Sequence, residues 1–190
     1  MLRSGHRVGS GDTIVLESCE YYNSFHSFSP TIAVVLNIDA DHLDFFKDLD
    51  AIKASFAHFA NLVPENGTIV ANADDQNTME ALLPLGRPLL TFGLSADALV
   101  RAENVALHTH GSDFDVIYNG QFFGHISLRM PGRHNVCNAL AATAAAITLH
   151  IPAETVAEGL STFTGAGRRL EFKGNYHGAD IYDDYAHHPG

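Results

Sequence analysis

Cysteine is nearly absent. Cys19 and Cys137 are the two in 190 residues, and they form no Cys-x-x-Cys pair. Nothing therefore points to a zinc site or a disulfide framework. Positive charge is also scarce: 11 Lys and Arg stand against 22 Asp and Glu, for a net charge of −11. That balance argues against a non-specific binder of nucleic acid or of an anionic membrane. It leaves room for a nucleotide site, which needs only a few local cations and backbone N–H groups. No apolar run reaches transmembrane length, and the Ala-rich stretch 139–147 is far too short. The start carries Arg3, His6 and Arg7 without the apolar core of a secretory signal. A cytoplasmic location is the expectation. No Ser/His/Asp or Cys/His nucleophile signature, internal repeat or low-complexity segment is present.

What is present reads as a soluble α/β protein. The apolar fraction of 46% and charged fraction of 17% are ordinary, and the length suits one domain with a substantial core. Thr13–Leu16 and the run from Ile32 to Ile38 are expected strands, joined by a polar and aromatic connection over 21–30. A helix is expected from about Asp50, with Ile52, Phe56, Phe59 and Leu62 on one face. Pro64-Glu65-Asn66-Gly67 is turn chemistry. A strand over 68–72, a short helix over 75–83 and a strand over 88–93 complete a βαβαβ pattern, which favours a parallel sheet with crossover helices. The character then changes. Residues 98–130 alternate apolar and polar positions around Asn119-Gly120, a strong hairpin signal, and predict an antiparallel meander. Helices over about 134–149 and 153–163 follow, then a hairpin around 175–178.

The stretch Asn37-Ile38-Asp39-Ala40-Asp41-His42-Leu43-Asp44 organises the chain. It follows an apolar strand, and ligands collect beyond the carboxyl ends of strands in open α/β sheets. An imidazole amid carboxylates suits a divalent ion, although Mg²⁺ normally prefers oxygen. Acids after a strand also simply cap the next helix and stay in water. Glu17-Ser18-Cys19-Glu20 likewise places acids after an expected strand. His134, Asn135 and Asn138 lie at the start of an expected helix, where amides and exposed N–H groups suit phosphate or base contacts.

Four stretches, taken in order, resemble the central domain of the Mur ligases, the ATP-dependent enzymes that build the peptide of peptidoglycan. They are Glu17-Ser18-Cys19-Glu20-Tyr21 with Ser24-Phe25; Asn37 to Asp44; Gly132-Arg133-His134-Asn135 with Asn138-Ala139-Leu140; and Arg168-Arg169-Leu170-Glu171 followed by Asp183-Asp184-Tyr185-Ala186-His187-His188-Pro189. Within the family, the wording lies nearest to the branch that adds L-alanine to UDP-N-acetylmuramate. The muropeptide-recycling branch, which attaches a preformed tripeptide, is the nearest alternative. A non-catalytic module binding nucleotide or Mg²⁺ is a further one.

The resemblance implies a mostly parallel α/β sheet of P-loop-like type with a small meander. It implies 1–12 as a loop or cut end, 13–165 as the ATP-binding domain incomplete at its N-terminus, and 166–190 as the start of a C-terminal ligase domain. The family's phosphate loop, Gly-x-x-Gly-Lys-(Ser/Thr), occurs nowhere in this sequence. The chain alone is therefore expected not to turn over. ATP and Mg²⁺ are the implied cofactors, and UDP-N-acetylmuramate and L-alanine the implied substrates. Glu17 and His42 are the implied metal ligands and catalytic residues, with Glu20, Asp39, Asp41 and Asp44 supporting or capping. His134, Asn135, Asn138, Arg168, Arg169 and Asp184 are implied to meet ATP; Tyr185, His187 and His188 are implied to meet substrate. Lys53 lies about one turn too early to match the modified lysine of several relatives and is given no such role.

Overall fold

The computed structural model describes residues 8–169 and 171–186. Three short parallel strands, β1 (Ile32–Val35), β2 (Thr68–Asn72) and β3 (Leu89–Gly93), form one half of a six-stranded sheet. Strand β4 (Val100–His108) pairs parallel to β3 at two positions, then antiparallel to β5 (Gly111–Tyr118), which pairs with β6 (Gln121–Leu128). Spatial order follows chain order throughout. Parallel neighbours need a crossover, and α1 (Leu49–Asn61) and α2 (Gln76–Leu82) supply it. Each begins at an aspartate cap: Asp48 accepts from the Ala51 N–H, and Asp75 from the Thr78 N–H. Asn119 and Gly120 turn the β5–β6 hairpin, both with positive φ (49° and 77°), as a type I′ turn requires.

Strand alternation divides the core. Ile69 packs with Phe25, Ile38, Ile52, Phe59 and Leu82 on the α1/α2 side. Its neighbour Val70 points the other way, to Phe92, Phe114, Ile126, Val136 and Leu140. The second set includes α3 (Arg133–Thr148), whose Val136, Leu140 and Ala144 are buried one turn apart. Because β2 is covered on both faces, Ile69, Val70 and Ala71 are all buried, hence its unbroken apolar run. Helix α4 (Ala153–Thr162) packs along β6. Strands β7 (Glu171–Tyr176) and β8 (Ala179–Asp183) form a separate antiparallel pair.

Two expectations are corrected. Thr13–Leu16 forms no strand: Ile14 and Val15 are 81% and 89% exposed. The sheet ends at β1, so this segment has no ladder partner among the described residues and lies open to solvent. Strand β1 also stops at Val35 rather than running to Ile38. Past that point, side chains of the β2–α2 turn replace the ladder: Asn72 Nδ2 donates to the Leu36 carbonyl, and Asp75 accepts from the Ile38 N–H.

Candidate cation and nucleotide site

The turn after β1 begins with a plug. Ile38 is 1% exposed and belongs to the core, so Asp39, Ala40 and Asp41 are carried above the carboxyl end of the sheet. Local bonds then reverse the chain. The Asp41 N–H donates to the Asp39 carbonyl, and the Phe45 and Phe46 N–H groups both donate to the His42 carbonyl. His42 has a positive φ of 54°, a strained backbone for a side chain of this size, and buried Phe46 closes the turn. Strain of this kind persists only where the surroundings over-determine it, and it collects at functional sites.

A second segment meets this turn. The 3₁₀ turn Tyr21–Ser27 is fixed by Phe25, stacked on Phe59 of α1, and by Asn23, whose side-chain oxygen accepts from Ser55. That anchorage places Glu20 and Tyr21 against the imidazole of His42. Glu20 Oε1 lies 3.3 Å from His42 Nε2, and Asp41 Oδ1 lies 3.9 Å from Nδ1. The Tyr21 ring stacks on the imidazole at 4.4 Å between centroids. Its hydroxyl donates to Asp44, and this bond, with Tyr22 adding to it, holds the phenol well above its ordinary pKa.

Glu20, Asp41 and His42 offer ligand atoms that all lie within 4.8 Å of one another. One imidazole nitrogen and two carboxylate oxygens are a donor set that a hard divalent ion accepts, with further positions left for phosphate or water. No other group of three such side chains converges in this way among the described residues. The residues present thus fit a divalent cation.

Beside this turn a pocket of about 250 Å³ is lined by Leu36, Asn37, Asn72, Phe92, His134, Cys137 and Asn138. One wall is the start of α3, which Gly132 admits: its φ is 98°, and a Cβ there would come within 2.8 Å of the His134 ring. The floor is Phe92 and the end of β2. Burial pushes the Cys137 thiol above its ordinary pKa, with Asp74 adding to the effect, so the thiol stays neutral.

The residues singled out in the sequence fall into three groups. His42 sits at the centre of the convergent cluster, and His134 and Asn138 line the pocket together. Glu17 is exposed in the unpaired segment, and Glu20, three residues on, is the carboxylate that reaches His42. Asn135 turns its amide back to the Pro131 carbonyl at 2.7 Å and does not line the pocket. Arg168 lies over the Tyr185 ring at 4.6 Å, a cation–π contact at the foot of the terminal hairpin, while Arg169 and Asp184 are exposed. His187 and His188 lie outside the described residues. Lys53 pairs with Glu80, tying α1 to α2.

The resemblance implies Glu17 as a ligand with Glu20 in support, and of the two it is Glu20 that the structure brings beside His42. Sequence reasoning also passed over Tyr21, Asp75 and Asn77. The capping pattern of Asp75 before an apolar helix was legible, but its grip on Ile38 was not.

Comparison with known proteins places this geometry in a family. A family model described as the Mur ligase middle domain matches residues 7–146. A UDP-N-acetylmuramate–L-alanine ligase from Caldanaerobacter subterraneus is 45% identical over 184 residues, covering 96% of this chain and 40% of that protein. The chain thus spans about 40% of the length of such curated relatives. Among solved structures, a UDP-N-acetylmuramate–alanine ligase from Thermotoga maritima superposes with a TM-score of 0.72 at 28% identity, covering 88% of this chain and 37% of that one. A UDP-N-acetylmuramate:L-alanyl-γ-D-glutamyl-meso-diaminopimelate ligase from Neisseria meningitides gives 0.66 at 32% identity, covering 76% and 44%.

Proposed function

The chain belongs to the Mur ligase family through its middle domain, and on that premise we propose that it is the nucleotide- and cation-binding part of an ATP-dependent ligase joining L-alanine to UDP-N-acetylmuramate. The observation that carries the reading is the convergence of Glu20, Asp41 and His42 within 4.8 Å, beside the pocket that His134 and Asn138 line. The high identity to an L-alanine ligase supports the choice of acceptor. On this reading residues 13–165 form the central domain and 166–190 open the next one. The separate β7–β8 pair supports that division.

In amide formation of this kind the carboxylate of the sugar acid takes the γ-phosphoryl group of ATP, releasing ADP, and the amine then attacks the acyl carbon of the resulting acyl phosphate and expels phosphate. Mg²⁺ would supply charge neutralisation for the transferring phosphoryl oxygens. Glu20, Asp41 and His42 would hold that ion. Glu17, exposed on the approach to the same turn, is proposed for an ion shared with a phosphate loop from another segment. His134 and Asn138 would meet the adenine or its phosphates by hydrogen bonds. Arg168, Arg169 and Asp184 would complete the nucleotide contacts, and Tyr185, His187 and His188 would face substrate. No protein nucleophile is needed, in keeping with the neutral thiol of Cys137 and the hydrogen-bonded phenol of Tyr21.

The test is phosphate release from Mg·ATP and UDP-N-acetylmuramate by the longer protein that carries this chain. Turnover that depends on L-alanine is expected. Turnover that depends instead on the tripeptide L-alanyl-γ-D-glutamyl-meso-diaminopimelate would move the assignment to the recycling branch, the reading that the Neisseria likeness favours. Nucleotide binding with no amine-dependent turnover would leave only a binding module. The 190-residue chain assayed alone is expected to give no turnover.

A further inference from the structure

Beyond His42 the turn is held by buried Phe46 and by Tyr21, but the stretch that leads into it from β1 is tied to the rest of the molecule at few points. The β1 ladder ends at Val35. From Asn37 to Asp41, the hydrogen bonds that reach another element, among the described residues, are those of Ile38; the rest, including the His42 N–H to Asp41 Oδ1, stay within the turn. Both polar groups of Ile38 are taken. The Ile38 N–H donates to Asp75 Oδ1 at 3.1 Å, and Asn77 Nδ2 donates to the Ile38 carbonyl at 2.8 Å. Asp75 is itself held, because the same oxygen accepts from the Thr78 N–H at 2.8 Å at the head of α2. The Ile38 side chain, 1% exposed, pins the third direction.

We propose that Asp75 and Asn77 are positioning residues for the cation-binding turn, gripping the Ile38 peptide from both sides so that Asp41 and His42 meet Glu20. This role rests on the cation site proposed above. Neither side chain is among the converging ligand atoms. Their effect is geometric: His42 holds an unfavourable backbone conformation four residues beyond the clamp, and a loosened Ile38 lets the turn relax away from Glu20. Residues that orient ligands in this way typically change metal affinity by roughly 10- to 100-fold when lost.

The experiment uses Mn²⁺ as the probe, with free Mn²⁺ followed by electron paramagnetic resonance during titration of the 190-residue chain. Asn77→Leu removes the donor at similar size and is expected to weaken Mn²⁺ binding roughly 10-fold. Asn77→Asp, which keeps the size and loses the donor, repeats the test if leucine disturbs packing. Asp75→Asn is expected to bind within about 2-fold of the original chain, because its oxygen still accepts both N–H groups and only the charge is gone. Asp75→Leu should fall with Asn77→Leu. In a His42→Ala background, Asn77→Leu should add little further loss, since the two act through one turn. Binding undiminished by Asn77→Leu and Asn77→Asp overturns the positioning role alone, as does an equal loss in Asp75→Asn and Asp75→Leu, which would make Asp75 a matter of charge. Failure of the unsubstituted chain to bind Mn²⁺ overturns the cation site itself and this role with it.

Discussion

Histidine and aspartate gather in two regions of this molecule, and only one gathering has the shape of a site. On the outer face of the meander, His108 on β4 pairs with Asp113 on β5, and His125 on β6 pairs with Asp115 on β5, each at 2.8 Å. Ser127 and Asn104 donate to the same two carboxylates. His125 also lies 3.9 Å from Asp113, but the two-residue alternation and the strand separation keep these groups apart, and among the described residues only Glu20, Asp41 and His42 bring three ligand atoms within 4.8 Å of one another. Above β1, the side chains come from two turns with positive backbone φ, and Glu20 and Asp41 face one ring, that of His42. Regular strands distribute polar pairs, whereas irregular turns concentrate them. Composition alone does not separate the regions; backbone geometry does.

The two halves of the sheet also rest on different cores, and the largest expected effect lies there. Phe114 is fully buried among Val70, Phe92, Ile126 and Leu140. Phe114→Ala should destabilise the chain by about 3–5 kcal/mol, read from urea unfolding. The remaining folded molecules should still bind Mn²⁺, because the cation turn stands on the other core; lost binding at full folding would merge the two regions into one unit.

His42→Ala and His125→Ala then compare the regions directly. His42→Ala should lower Mn²⁺ affinity at least about 100-fold, the upper range for outer residues that merely support a ligand. His125→Ala should leave it unchanged by the same titration. Equal losses from the two variants would refute the distinction.

At the head of α1, Asp48 caps the helix that anchors the Glu20 segment. Asp48→Ala should cost about 1 kcal/mol in urea unfolding.

The smallest effect is on acid stability and belongs to the meander. The hydroxyl of Ser127, with His108, holds Asp113 below the usual carboxylate range, and Asn104, with His125, does the same for Asp115. A depressed folded pKa stabilises above the unfolded value, about 3.9, and that contribution is lost as pH falls through the lower folded values. The unfolding midpoint of the original chain should therefore drop more steeply below about pH 4 than that of the Asp113→Asn, Asp115→Asn double variant. Parallel profiles would show that these exposed pairs contribute nothing.

The sequence by itself determined the element types and the family. Apolar runs bounded by turn residues marked β1 to β3, alternation and Asn119-Gly120 marked the meander, and helical spacing marked α1 and α3, because these periodicities are local properties of the backbone. Motif wording singled out His42, His134 and Asn138, and the structure sets the first in the cluster and the other two along one pocket. Tertiary structure alone decided the rest. Thr13–Leu16 has strand composition, but a strand exists only beside a partner, so the segment stays unpaired and Glu17 with it. Glu20 became the neighbour of His42 because Phe25 and Asn23 dock its segment on α1, a long-range packing event invisible to spacing. The clamp of Asp75 and Asn77 on Ile38 joins residues 37 and 39 positions apart. Periodicity reads which face of an element is apolar; it does not read which polar side chain will reach across a gap between two turns.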